Sequence, residues 1–243
     1  MKKSRNLPKP SSKALENFLE QVKRTPTRNE REAAGRLVFG MDATASRERT
    51  WDNACQIQNQ MFIATDDIGG INIQLCYYRG FNQFQYSGWF VSGKEMIKEM
   101  AKVSCLGGHT QIARIFRHAL KEHKAQKIRA LVFVGDALEE NADELCNLAG
   151  KFGVFNIPIF MFQEGSDRFV MSAFKQIALL SGGAYAPFNS GSVKELQDLL
   201  SSVAVFVAGG HEALEKYEKR DGNEKNLTLQ LIYLQLLLKC QDY

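Results

Sequence analysis

No two of the five cysteines (Cys55, Cys76, Cys105, Cys146 and Cys240) have the C-x-x-C spacing of a metal or redox site. They are odd in number, far apart and mostly set in apolar segments, which suits buried, reduced thiols in a cytoplasmic protein better than a disulfide framework. The opening stretch "MKKSRNLPKPSSK" is basic but lacks the apolar run of an export signal. The richest apolar tract, "LTLQLIYLQLLLK" at 227–239, is interrupted by polar residues. It is also shorter than the ~20 residues needed to span a bilayer, so the expectation is a soluble, non-exported protein with no membrane partner. Neither a P-loop nor a dinucleotide glycine fingerprint is present, since "GGIN" and "LSGGAY" match neither. There is no evident nucleophile–base pair, no internal repeat and no long low-complexity segment.

What is present is an ordinary globular composition, 44% hydrophobic and 24% charged over 243 residues. That length suits one core with appendages. The net charge of +4 is unevenly spread: residues 1–36 hold ten of the 31 Lys and Arg but only four of the 27 Asp and Glu, leaving the rest of the chain at −2. A basic arm therefore precedes a nearly neutral body. A solvated tail is its commonest meaning; contact with nucleic acid is the minority alternative, testable by salt-dependent heparin retention with and without residues 1–30.

The expected organisation is an arm and helix over 1–35, an α/β domain over 36–208 and a helical extension over 209–243. In the arm, "SKALENFLEQVKR" sets Ala14, Leu15, Phe18, Leu19 and Val22 on one helical face. In the extension, Leu227, Leu231, Leu234 and Leu238 share a stripe. Between them, short apolar runs alternate with amphipathic stretches. The runs "RLVFGM", "INIQLCYY", "FQYSGWFV", "IRALVFVG", "IPIFMFQ" and "AYAPF" read as strands. The stretches "RTWDNACQIQNQMFIAT", "TQIARIFRHALKEH", "ADELCNLAGKFG", "DRFVMSAFKQIALLSGG" and "SVKELQDLLSSVAVFV" read as helices. This alternation predicts a doubly wound, mostly parallel six-stranded sheet with helices on both faces. The fully apolar "LVF" and "ALVFV" fit its centre. Between "INIQLCYY" and "FQYSGWFV" there is no room for a crossover helix, so the latter must be an antiparallel edge strand. The aromatics Phe81, Phe84, Tyr86, Trp89 and Phe90 around this hairpin read first as sheet packing, with any on its open side free to serve a partner.

Ligands of such sheets bind beyond the carboxyl ends of the central strands. Two apolar strands end there in a carboxylate, "LVFGMD" at Asp42 and "ALVFVGD" at Asp136. Thr44 and Ser46 follow the first aspartate at alternate positions, and Thr110 follows a glycine pair in "GGHTQIARIF". Each alone is explained by a turn or cap. Together they form an all-oxygen set suited to a hard cation, Mg²⁺ or else Mn²⁺ or Ca²⁺, and unsuited to zinc. Two charged ligands leave the octahedron of Mg²⁺ open to water or to a partner's carboxylate. His109 reads as a rim residue or helix-start hydrogen bonder, and Glu139 and Glu140 as a solvated edge that would also shape the charge around a metal cleft.

Asp42-x-Thr44-x-Ser46, Thr110 after Gly-Gly, and Asp136 at a strand end resemble the metal-ion-dependent adhesion site (MIDAS) of the von Willebrand factor type A (VWA) family, over about residues 34–208. The resemblance is to a small, stand-alone, cytoplasmic member of prokaryotic type. It implies a Rossmann-like VWA sheet, a divalent cation at its top and a protein partner whose acidic side chain joins the metal. Ser46 and Thr110 would be direct hydroxyl ligands and Thr44 the other hydroxyl of the first motif. Asp42 and Asp136 would anchor the cation directly or through water. Threonine stands at 44 where serine is more usual, and "VGDA" replaces the more familiar Thr-Asp-Gly around Asp136. The implied function is non-enzymatic binding, with oligomeric state left open. The competing class is a Mg²⁺-dependent phosphotransferase of haloacid-dehalogenase type with Asp42 as nucleophile. Such enzymes usually carry a second aspartate where Thr44 stands, and a phosphate-screening lysine for which Lys102 and Lys127 are the candidates.

Overall fold

The computed structural model describes residues 34–48, 63–64, 70–189 and 193–220. The basic arm, nearly all of the 49–65 stretch and the tail beyond 220 lie outside these residues, so the helices expected there are not addressed.

Six strands form one sheet among the described residues: β1 (Gly35–Asp42), β2 (Ile71–Arg79), β3 (Gln83–Phe90), β4 (Ala130–Gly135), β5 (Ile159–Glu164) and β6 (Ala184–Phe188). Their order is β3-β2-β1-β4-β5-β6, with every pairing parallel except that of β2 with β3. β1 and β4 lie side by side at the centre, and every residue of both is buried. The antiparallel β3 closes one edge, half open to solvent, as the missing crossover required. The expected strands and fold class match this sheet.

Period-two alternation divides the central strands between two cores. Leu37, Phe39 and Met41 of β1 and Val132 and Val134 of β4 face one layer. Val38, Leu131 and Phe133 face the other. The first layer is covered by helices α1 (Gly93–Met100) and α5 (Val193–Arg220). The second is covered by α2 (Ile112–Ala125), α3 (Ala142–Val154) and α4 (Arg168–Ser181). α5 runs to Arg220 and is kinked at Gly210, whose φ of 70° suits glycine. α1 is absent from the expected helices. Its eight residues bury Gly93, Met96 and Met100, and one methionine pair at i, i+4 is too short a repeat to mark a helix by periodicity.

Two glycines set how closely helices approach β1. A Cβ on Gly40 would lie 2.9 Å from Ile115 of α2, and one on Gly35 would lie 2.1 Å from the carbonyl oxygen of Val207 in α5. Both layers are thus drawn tightly onto the strand that ends in Asp42.

Candidate metal centre

Parallel pairing of β1 and β4 runs in register to Met41 opposite Val134. The next residues are Asp42 and Gly135, and a Cβ on Gly135 would stand 3.4 Å from that of Asp42. Asp136 follows immediately. The two aspartates therefore lie at the same end of adjacent strands.

Asp42 is fully buried. Its Oδ1 accepts the Thr44 backbone N–H at 2.7 Å and its Oδ2 the Tyr78 hydroxyl at 2.9 Å. The first contact folds the chain back just after the strand. Thr44 and Ser46 then meet through their hydroxyl oxygens at 3.2 Å, and a short 3-10 turn (Ala45–Arg47) carries the chain away. Ser46 is exposed and Thr44 buried, so the pair spans from the carboxylate to the surface.

Thr110 is held on two sides by one residue. Its N–H donates to Glu139 Oε2 at 3.0 Å, and its Oγ1 accepts the Glu139 N–H at 2.9 Å. Glu140 turns inward to receive the Ile112 and Ala113 N–H groups, the latter at 2.9 Å, at the start of α2. Glu139 is exposed, as expected of a solvated edge, but it also fixes the Thr110 loop, and Glu140 turns from that edge to cap a helix. His109 is a rim residue as expected, 64% exposed with Nδ1 at 3.1 Å from Glu139 Oε2.

Burial pushes the Asp42 carboxyl above the ordinary aspartate range; hydrogen bonds from Thr44 counter it, the negative charge of Asp136 adds to it, and the Tyr78 hydroxyl counters it. Burial likewise raises Glu140, against the N–H groups of Ala113 and Ile112 and the Thr110 side chain. Tyr78 is raised too, by burial and then by its carboxylate neighbour. Asp136 retains a buried oxygen, Oδ1, with no hydrogen-bond partner. A buried carboxylate oxygen left in that state is costly unless a cation or water meets it.

Arg47 adds a feature that motif spacing does not reveal. It is 1% exposed, pairs with Glu164 at the end of β5, and its guanidinium carbon stands 5.8 Å from the Phe188 ring at the end of β6. Because β4 lies between β1 and β5, this side chain must cross the end of β4, where Asp136 sits. Burial lowers its affinity for a proton, while Asp136 and then Asp42 hold the positive charge in place. A permanent cation thus already tempers the two carboxylates.

The donor set remains two carboxylates and three hydroxyls. Among the described residues no group of three or more His, Cys, Asp or Glu is placed to hold a metal. That chemistry, with the orphaned Asp136 oxygen, fits a hard oxygen-seeking cation completed by water or an outside ligand.

No family model and no curated protein matches the chain. Solved structures do. The SpRpn10 VWA domain superposes with a TM-score of 0.56 at 14% identity, covering 69% of this chain and 94% of that one. An aerotolerance-related membrane protein from Bacteroides fragilis, solved with multiple mutations to serine, gives 0.53 at 14% identity, with 69% and 98% covered. Proximal thread matrix protein 1 from the mussel byssus, solved with zinc in its MIDAS motif, gives 0.55 at 14% identity, with 71% of this chain and 46% of that one covered.

The fold is that of a VWA domain.

Within this VWA fold, the five residues singled out by sequence stand at one end of the sheet, Asp42 as the last residue of β1, Ser46 in the 3-10 turn and the others on loops. Asp42, Thr44 and Ser46 are joined directly by hydrogen bonds, with Asp136 beside Asp42 across the β1–β4 pair. Thr110 is brought to the same end by the loop preceding α2, which meets the β2–β3 turn: a Cβ on Gly108 would fall 2.0 Å from the Gly80 carbonyl oxygen. Sequence reasoning missed Tyr78 and Arg47, and it placed Glu139 and Glu140 at the cleft without their roles as clamp and cap. Tyr78 closes an apolar strand in register with Asp42, so strand alignment could have found it. Arg47, directly after the motif, carried no period or spacing to mark it.

Proposed function

We propose that this protein is a non-enzymatic, divalent-cation-dependent binding module whose MIDAS-type site takes an acidic side chain from a protein partner. The observation that carries this reading is the buried, unpartnered Asp136 Oδ1 beside Asp42 and the Thr44–Ser46 hydroxyl pair. Asp42 and Asp136 anchor the cation directly or through water; Ser46 and Thr110 ligate through hydroxyls, with Thr44 as the second hydroxyl of the first motif. The oxygen-only set favours Mg²⁺, with Mn²⁺ or Ca²⁺ as substitutes. A zinc-occupied MIDAS in the mussel protein of similar fold supports divalent-cation use in general. The free thiols of Cys76, Cys105 and Cys146 suit a reducing cytoplasm.

Two carboxylates tempered by Arg47 hold Mg²⁺ only modestly. A partner carboxylate replaces one water and restores charge balance, so partner and metal bind cooperatively. The phosphotransferase alternative is weaker because both oxygens of Asp42 already accept hydrogen bonds and the side chain is wholly buried, a poor posture for a nucleophile. Lys102 pairs with Glu99 at the surface, and Lys127 lies at the amino end of β4, away from the site.

Calorimetry with Mg²⁺ tests the metal reading. Wild type should bind one equivalent with a dissociation constant in the high-micromolar to millimolar range, and Asp136→Ala should abolish the signal in protein that circular dichroism shows to be folded. Binding unaltered by Asp136→Ala would place the cation elsewhere. Magnesium-dependent hydrolysis of p-nitrophenyl phosphate lost in Asp42→Asn would instead establish the alternative.

A further inference from the structure

The β2–β3 turn lies at the same end of the sheet as Asp42, because β2 runs parallel to β1 with Tyr78 opposite Asp42. Its tip carries Phe81, 71% exposed, an unusual position for a phenylalanine in a tight hairpin. The tip is firmly held. Gln111 donates to the Gly80 carbonyl at 3.1 Å, Arg114 donates to that of Asn82 at 2.9 Å, and the Gly80 N–H reaches Leu106 at 3.3 Å. Leu106 is itself 40% exposed, and its N–H donates at 3.1 Å to the carbonyl of Ala43, inside the first motif. Two large apolar side chains are therefore fastened to the backbone that carries the hydroxyl ligands.

Phe81 is also connected to the site through side chains. Its ring stands edge-on to His109 with centroids 5.2 Å apart, His109 pairs with Glu139, and Glu139 clamps Thr110. An exposed apolar surface held rigid beside a polar site is characteristic of a recognition rim, since little ordering entropy remains to be lost when it is covered.

We propose that Phe81 and Leu106 form an apolar shelf that selects the partner of the metal site: a protein segment whose acidic residue is flanked by a leucine or another large apolar residue. The proposal rests on the metal-binding reading for the acidic half of the recognition; the apolar half stands on the hairpin geometry. The acidic side chain alone is common to every protein surface and cannot discriminate between partners. The apolar neighbour, buried against Phe81 and Leu106, supplies discrimination because it must sit within reach of the same carboxylate.

The full chain in Mg²⁺ is titrated with two acetylated, amidated peptides, Gly-Leu-Glu-Leu-Gly and Gly-Gly-Glu-Gly-Gly, followed by amide chemical shifts. The leucine-flanked peptide should bind at least about tenfold tighter, with shifts at Phe81, Leu106 and His109. Phe81→Ser, at an exposed tip, and Leu106→Ser should each shrink that preference severalfold while leaving Mg²⁺ affinity by calorimetry unchanged. Equal affinity for the two peptides, or a preference that survives both substitutions, overturns the shelf. If the leucine preference is present but indifferent to chelator, the shelf stands and the metal reading falls; if Mg²⁺ binds and neither peptide does, the reverse holds.

Discussion

Asp42 is the residue whose energetics depend most on what fills the site. Its folded state favours the protonated carboxyl, so the folded protein binds that proton more tightly than the unfolded chain does. The stability contributed by this group is therefore present at low pH and is lost as pH rises from the ordinary aspartate range through the higher folded value. In chelator at neutral pH the ionised side chain is a cost. Asp42→Asn keeps the shape: its Oδ1 still accepts from Thr44, and its amide donates to Tyr78, whose hydroxyl can accept as readily as donate. The variant should be more stable than wild type at neutral pH in chelator, with the gap closing as pH is lowered. Mg²⁺ should raise the melting temperature of wild type and leave the variant unmoved. Urea denaturation across pH measures the first effect and thermal melts with and without Mg²⁺ the second; a variant less stable than wild type in chelator would mean that Arg47 already neutralises Asp42.

At the scale of elements, the start of α2 is the weak joint. Its local N-cap residue, Gln111, makes no side-chain capping bond, and the first-turn N–H groups of Ile112 and Ala113 are instead met by Glu140, 27 and 28 residues away. A carboxylate there gains from the N–H groups and from the positive end of the helix together. Glu140→Ala should cost about 1–2 kcal/mol by urea denaturation and loosen the Thr110 loop, seen as faster amide exchange from 108 to 113. By contrast α3 and α4 are capped locally by Asn141 and Asp167, whose side chains accept from N–H groups two and three residues on. Those two starts take their caps from the adjoining residue in sequence, whereas the cap of α2 arrives from another loop.

For the molecule as a whole, the critical contact is between the sheet's central strand and α5. Gly35 admits the Val207 carbonyl to a distance no side chain could tolerate, and the Arg129 guanidinium donates to the carbonyls of Val207 and Ala208 at 2.8 and 2.9 Å. α5 covers Leu37, Phe39 and Met41 with Leu199, Val203 and Phe206, so displacing it opens one of the two cores. Gly35→Val should destabilise the fold by about 3 kcal/mol or more without removing any ligand of the candidate site. Urea denaturation checks the loss, and Mg²⁺ calorimetry on the variant that still folds checks that the site is spared.

Sequence by itself determined the sheet and most of its helices, because alternating apolar runs and amphipathic stretches leave few ways to bury both faces of a strand. The same patterning put Asp42 and Asp136 at the ends of the two central strands, and a run of hydroxyl residues after a buried aspartate has a recognisable spacing. Tertiary structure alone decided what surrounds them. Tyr78 reaches Asp42 only through the β1–β2 register, Arg47 reaches Glu164 only by crossing β4, and Glu139 and Glu140 become a clamp and a cap only because two distant loops meet. Phe81 stood among aromatics expected to pack, and the turn that exposes it is held by contacts from 106, 111 and 114. Periodicity reports which face of its own element a residue occupies. It carries no information about which loop from elsewhere in the chain comes to rest against that face, and the surroundings of this candidate site are built from such meetings.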